Sequence, residues 1–270
     1  MVVGRHQRSS DDTSGDSVDS RHEALRALVE AVGDKVSDYD ARVVRLRTQL
    51  ALQLGCGKDV IEFGVGSPLG KRALLKSVRS YTGVDLLPQN VEELRVAFGS
   101  NGRFLVGDCC NSGLAAESAD VVFGLAMIYY CEASQVIAEA HRLLRSGGCF
   151  FFCSPNPEQP RFSPSPGAYK YLSTLEYKNL AQGTGFEFQV LGGFPYTTSD
   201  VGFSRAGELL QRLWAYVPAP LKIQIRKFYK GGVVRLTEDF VEQCESTVLV
   251  QLDASNENNY KMFYYILRKN

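Results

Sequence analysis

The chain reads as an α/β protein built on a mostly parallel sheet, and three observations point there. Between residues 58 and 155, short apolar strands alternate with amphipathic helices, a rhythm that needs crossover connections and hence parallel pairing. The first strand runs directly into a glycine turn, "VIEFGVGSPLG" at residues 60–70. Acidic residues then close the next two strands, Asp85 in "YTGVDLLPQN" and Asp108 in "FLVGDCCN". Open sheets of this kind bind ligands outside the carboxyl ends of their strands.

The elements follow in order. Residues 1–20 are crowded with Ser and Asp and hold no apolar stretch of signal-peptide length, so a disordered tail is expected. Residues 21–57 carry two helical patterns, "RHEALRALVEAV" and "DYDARVVRLRTQLALQL", ended by Gly33 and Gly55. In the core, strands are expected at Val60–Phe63, Tyr81–Leu86, Phe104–Val106, Val121–Met127 and Cys149–Cys153. Helices are expected at Pro68–Ser77, Pro88–Phe98 and Ala133–Leu144, the last closed by "SGG" as glycine commonly closes a helix. Residues 156–270 loosen into a Pro/Ser loop, a helix near Thr174–Gln182, a strand at Phe186–Leu191, an insertion at about 196–257 and a final strand, "YKMFYYILRK". Long insertions beside the ligand edge often cover substrate.

Composition narrows the class. With 270 residues, 44% of them apolar, the chain can bury one large core, so residues 21–270 are expected to form a single domain. Thirty basic and thirty acidic side chains cancel, leaving no strong field to hold nucleic acid or an anionic membrane. The longest apolar run, Val121–Cys131, is about half a membrane span and contains Gly124, so it reads as a buried strand. Seven cysteines without repeated spacing favour reduced thiols and a cytoplasmic location. The adjacent Cys109 and Cys110 lack a second cysteine pair or a nearby histidine, and no metal is expected.

The turn and the acids decide between ligand classes. A dinucleotide fingerprint needs a third glycine where this chain has Leu69, and Gly70 misses by one position. What fits is E-x-G-x-G, Glu62 through Gly66, with Ser67 as helix N-cap and Pro68 at the first helical position. Lys71 and Arg72 read as solvated surface charge, since cations in a first helical turn oppose the dipole, with contact to a ligand carboxylate as the minor alternative. Asp85 is placed to accept from both hydroxyls of a ribose, with Leu86 beside it. Asp108 is placed to accept from an adenine amine while the amide of Cys109 serves a ring nitrogen. The set fits adenosine joined to something short.

These residues resemble those of the class I methyltransferases that use S-adenosylmethionine. Glu62, Gly64, Val65 and Gly66 match the family's first motif, Asp85 its ribose acid and Asp108 its adenine-side acid. "SADVVFGLAMIYY" and "EAHRLLRSGGCFFF" match the fourth strand and the passage into the fifth. Pro68 departs from the pattern, standing where many members have a third glycine. The resemblance implies a Rossmann-like, seven-stranded sheet with an antiparallel last strand, and a donor bordered by Leu125 and Ala126. It assigns donor binding to residues 58–155 and the substrate side to 156–270, and it leaves Asp120 as a structural residue.

Methyl transfer from a sulfonium is an in-line displacement, for which positioning in a dry pocket supplies much of the acceleration. If the acceptor must lose a proton, the candidates at the fourth-strand end are Tyr129, Tyr130 and Glu132. His6, His22 and His141 all fall away from that edge. No N-P-P-Y-like tetrapeptide follows strand four and no Pro-Cys pair is present, so amide and nucleobase acceptors are disfavoured. The loop "SPNPEQPRFSPSPGAYKY" with "GGFPYT" resembles a bacterial branch associated with saccharide modification. That implies a small-molecule acceptor such as a saccharide or nucleotide-linked sugar, with Phe162, Tyr169, Tyr171, Tyr196 and Trp214 available to stack on it, although isolated aromatics of this kind more often belong to the core. The cationic stretch "LKIQIRKFYKGGVVR" reads as a solvated face or a phosphate contact. A nicotinamide-dependent oxidoreductase, and a donor-binding protein without catalysis, are the competing readings.

Overall fold

A computed structural model describes residues 35–159, 162–165, 167–196, 234–252 and 259–270. The tail, the helix expected at 21–32, His6, His22, Trp214 and all but the last two residues of the cationic stretch lie outside them. The described strands are β1 (Lys35–Val36), β2 (Asp59–Phe63), β3 (Ser80–Asp85), β4 (Arg103–Val106), β5 (Ala119–Leu125), β6 (Leu144–Pro155), β7 (Phe186–Pro195), β8 (Val234–Arg235), β9 (Val250–Gln251) and β10 (Tyr260–Lys269). The helices are α1 (Asp38–Gly55), α2 (Arg72–Ser77), α3 (Pro88–Phe98), α4 (Ala133–Leu143), α5 (Thr174–Gly183) and α6 (Glu238–Val241).

The main sheet has the order β4-β3-β2-β5-β6-β10-β7-β9. β2 to β6 pair in parallel, and β10 runs antiparallel to both β6 and β7. The expected seven strands are therefore present, with the last one antiparallel, and the two-residue β9 adds an eighth at the edge. A separate ribbon pairs β1 with β8.

Helices cover both faces of the sheet. One face packs Val43, Leu46 and Ala51 of α1, Leu74 of α2 and Leu94 of α3 against Phe123 and Phe151. The other packs Val136, Ile137 and Ala140 of α4 and Tyr177 of α5 against Phe150, Phe152 and Tyr265. Among the described residues no helix is long and apolar enough to cross a membrane.

Two local expectations are corrected. α2 begins at Arg72, not Pro68, because Gly70 takes a φ of 78° that ends any helical path through it. Ser67 and Pro68 thus belong to the turn. The "SGG" stretch lies within β6, not at a helix end, where the register with β5 shifts between Ala119 and Val121. A Cβ at Gly148 would stand 2.8 Å from the Asp120 carbonyl, so that bulge requires glycine. The aromatics of the Pro/Ser loop mostly pack on the protein itself. Tyr171 stacks on Tyr129 at 4.5 Å and takes Phe162 edge-on at 4.8 Å, while the Tyr196 hydroxyl accepts from the Asn156 amide at 3.3 Å.

Candidate functional site

β2 delivers the chain to the carboxyl edge of the sheet, and the turn after it is left-handed at Gly64, Gly66 and Gly70, with φ of 61°, 59° and 78°. Two different needs are met there. At Gly64 a Cβ would lie 2.8 Å from the Met127 Cβ, so close packing demands glycine. At Gly66 nothing lies within 4 Å of the Cβ position, so its bare backbone faces open space where a ligand can press.

Glu62 sits beneath the turn, only 1% exposed. Its carboxylate accepts from the Tyr81 hydroxyl at 2.7 Å and pairs with Lys71 Nζ. Burial and the neighbouring Glu62 charge push the Tyr81 pKa well up. The expectation of a solvated Lys71 is overturned: it is buried, because the late start of α2 leaves it before the helix with its side chain turned in to Glu62. Arg72 is exposed, as expected. The start of α2 is held from outside its own segment. Glu238, in the described part of the insertion, accepts from the amides of Gly70 and Arg72, each at 2.9 Å.

Asp85 accepts from the Gly66 amide at 2.9 Å, the Leu87 amide at 2.9 Å and the Asn90 side chain at 3.2 Å. It thereby ties the glycine turn to α3 while standing in a cavity wall. Asp108 accepts from the Cys110 amide at 2.8 Å. The fold brings Cys131 to this turn, its Sγ 3.4 Å from that of Cys109. Hydrogen bonds from Cys109 and Cys110 hold the Cys131 thiol pKa down to about 4, while hydrogen bonds with Cys110 and Cys131 push that of Cys109 up.

Two cavities lie at this edge. The smaller, about 210 Å³, is lined by Asp85, Leu86, Asp108, Cys109, Tyr130 and Cys131, among others. The larger, about 610 Å³, is lined by Glu62, Val65, Gly66, Lys71, Leu125 and Ala126, and by Leu236 of the insertion. Both have Gly64 and Asn90 in their walls, and all ten residues expected at the donor line one or other of them. Ala126 takes a left-handed φ of 60°, which is uncommon outside glycine.

The three proton-handling candidates separate. Tyr130 borders the smaller cavity. Tyr129 lies on neither wall; it is buried under Tyr171 and its pKa is pushed well up by burial and by Tyr130 and Tyr171. Glu132 caps α4, accepting from the Ser134 hydroxyl at 2.9 Å, and that bond, followed by one from Tyr169, lowers its pKa. His141 packs edge-on to Phe186 at 4.8 Å on α4, clear of the cavities. Sequence reasoning missed Asn90, Lys71 and Cys131, and also Arg47 and Thr48 on the larger cavity. Asn90 had a readable signal, lying five residues past Asp85 in the first turn of a Pro-initiated helix.

The residues present could hold a ligand such as S-adenosylmethionine: two carboxylates, a backbone amide and open glycine backbone line two neighbouring cavities. Residues 61–152 match the family model described as "Methyltransferase domain". A curated protein of Mycolicibacterium smegmatis, described as "Probable S-adenosylmethionine-dependent methyltransferase", is 29% identical over 146 residues, which make up 51% of this chain and 56% of that protein. The chain thus spans little more than half of that relative. Among solved structures, a S-adenosylmethionine-dependent methyltransferase of Thermotoga maritima superposes with a TM-score of 0.53 at 17% identity, over 84% of this chain and 91% of its own. One from Archaeoglobus fulgidus gives 0.53 at 12% identity, over 85% and 94%. At such identities the structures speak for the fold alone. Residues 61–152 are thus similar to a methyltransferase domain, and the chain shares the fold of S-adenosylmethionine-dependent methyltransferases.

Proposed function

We propose that this protein transfers a methyl group from S-adenosylmethionine to a small-molecule acceptor, a hydroxyl of a saccharide or sugar-bearing metabolite. The observation that carries the reading is the pair of cavities with Gly64 and Asn90 in both walls, one sized for an adenine end and the other with room beyond it. When bound, the donor supplies an electrophilic methyl group on a positively charged sulfur. In this reading Asp85 holds the ribose hydroxyls, and Asp108 with the Cys109 amide reads the adenine edge. Gly64, Val65 and Gly66 give backbone contact, and Leu125 and Ala126 keep water from the reacting centre.

Most of the acceleration then comes from alignment in the larger cavity. Tyr130 is the one of the three proton-handling candidates that borders a cavity, and we assign it the acceptor-side role. Tyr129 and Glu132 support the turn that carries it. Arg47 lines the larger cavity and makes no hydrogen bond or ion pair among the described residues, which supports an acceptor bearing an anionic group, as a nucleotide-linked sugar does. The seven free thiols support a cytoplasmic location.

The test is calorimetric titration with S-adenosylmethionine, S-adenosylhomocysteine and NADH, followed by mass-spectrometric screening of saccharide, nucleotide-sugar and phenolic panels. Binding of both adenosyl ligands without NADH, and a methylated sugar, are expected. Donor binding with product only on phenols would replace the acceptor class, and demethylated donor failing to accumulate on any panel would favour a binding protein without catalysis.

A further inference from the structure

We propose that Cys109, Cys110 and Cys131, with the Asp108 carboxylate beside them, form a site for a soft d10 cation of the Zn2+ class in the wall of the smaller cavity. The ligand atoms of Asp108, Cys109 and Cys110 all lie within 4.8 Å of one another. Cys131 lies outside that set but approaches it from a separate segment, the end of the short turn after β5, with its Sγ 3.4 Å from that of Cys109. A tetrahedral ion with metal–sulfur bonds of about 2.3 Å holds its sulfurs about 3.8 Å apart, so that pair needs only a few tenths of an ångström of adjustment.

The chemistry of the donor set is selective. Three thiols and one carboxylate suit Zn2+ or Cd2+ and disfavour hard ions such as Mg2+. All three thiols are free. Cys109 and Cys131 face the smaller cavity, which gives an ion its path of entry. Binding exchanges protons for metal without redox change: each ligand that is still a thiol releases one proton as it ligates, and three thiolates with M2+ give a tris-thiolate complex. The sequence expectation of no metal rested on the missing partner for Cys109 and Cys110. The fold supplies that partner from 22 residues away.

The site shares Asp108 and Cys109 with the adenine end of the donor pocket, so metal and donor exclude one another and each weakens the other by the same factor. This coupling rests on the donor reading above; the metal site itself does not. The experiment uses the full-length chain, reduced and then freed of thiol reductant, titrated with Cd2+ and followed by the sulfur-to-cadmium charge-transfer absorption, with Zn2+ as competitor.

One tight equivalent per chain is expected, with the band lost in Cys109→Ser and Cys131→Ser and kept in Cys56→Ser, whose parent thiol is exposed elsewhere. Affinity in Cys110→Ser should fall about tenfold or more. Circular dichroism confirms that the variants are folded. A band that survives Cys131→Ser overturns the proposal, as does a Cys109–Cys131 disulfide formed with oxidised glutathione by a protein that takes up no Cd2+. With metal bound, the apparent Kd for S-adenosylmethionine should rise with occupancy. Tight metal binding that leaves donor affinity unchanged would overturn the shared pocket and leave the transferase reading to its own titration.

Discussion

The two edges of the sheet handle charge in opposite ways. At the amino edge, Asp59 and Asp120 are bridged by Arg145 at 3.0 and 2.8 Å and reached by Arg79 at 3.3 and 3.2 Å. The Asp120 carboxylate also accepts from the Asp59 amide at 2.9 Å. These arginines are 41% and 59% exposed, so the network sits in water and ties strand starts together. At the carboxyl edge, the Glu62–Lys71 pair is 1% and 9% exposed and lies under a turn of left-handed glycines that faces a cavity. The first arrangement locks strands in register. The second accepts the cost of buried charge, and what it maintains is the shape of a ligand seat.

The largest effect should come from breaking the buried pair. Lys71→Met leaves the buried Glu62 carboxylate with only the Tyr81 hydroxyl, and truncating one partner of such a pair costs about 3–5 kcal/mol. Denaturant unfolding should show that loss, and the double variant Glu62→Gln/Lys71→Met should recover much of it. A single variant within about 1 kcal/mol of the parent would mean that the pair is no anchor. Asp85→Ala comes next, on binding more than on folding. Removing two charge-assisted bonds to the ribose should weaken donor affinity by about 2–4 kcal/mol in calorimetry. Unchanged affinity would show the ribose to lie elsewhere.

The amino edge should respond less, and to pH. Burial raises the Asp120 pKa, but the Asp59 amide and the Arg145 and Arg79 guanidinium groups outweigh it, leaving it below the usual value. A depressed folded pKa gives stability that is complete above the unfolded value, about 3.9 for Asp, and that disappears as pH falls through the folded one. Asp120→Asn should therefore cost about 1 kcal/mol at pH 7, with the gap to the parent closing in acid and donor affinity untouched throughout. A pH-independent gap would assign the loss to packing.

This contrast also explains what could be read in advance. α3 begins at Pro88 and ends at Phe98, and β10 spans Tyr260–Lys269, both at the bounds the sequence suggests, because a proline start and an unbroken apolar strand are local signals. The ten residues expected at the donor fall on cavity walls for a similar reason, since glycines and acids at strand ends are fixed by position along the chain. Lys71, Glu238 and Cys131 were not legible in this way. Each acts through a partner on another segment: Lys71 through Glu62, Glu238 through the amides of Gly70 and Arg72, and Cys131 through Cys109. Tyr129 and Glu132 were placed by proximity to the right strand end, yet their hydroxyl and carboxylate went to packing and capping. Strand position says where a side chain starts, and tertiary contact decides where it points.

The smallest predicted effect bears most directly on why the two edges differ. Ala126 follows directly on β5 with a φ of 60° and stands on the wall of the larger cavity. An alanine in that region pays a steric cost that glycine does not. Ala126→Gly should therefore raise stability by about 0.5–1 kcal/mol, the relief of strain exceeding the entropy glycine adds to the unfolded chain. If the strain is kept because it holds the cavity wall in place, the same variant should bind S-adenosylmethionine more weakly while melting at higher temperature. A gain in stability with no loss of affinity would make the strained backbone incidental. A loss of stability would show that the methyl group's packing outweighs the strain, and that this edge, like the other, is held by contacts alone.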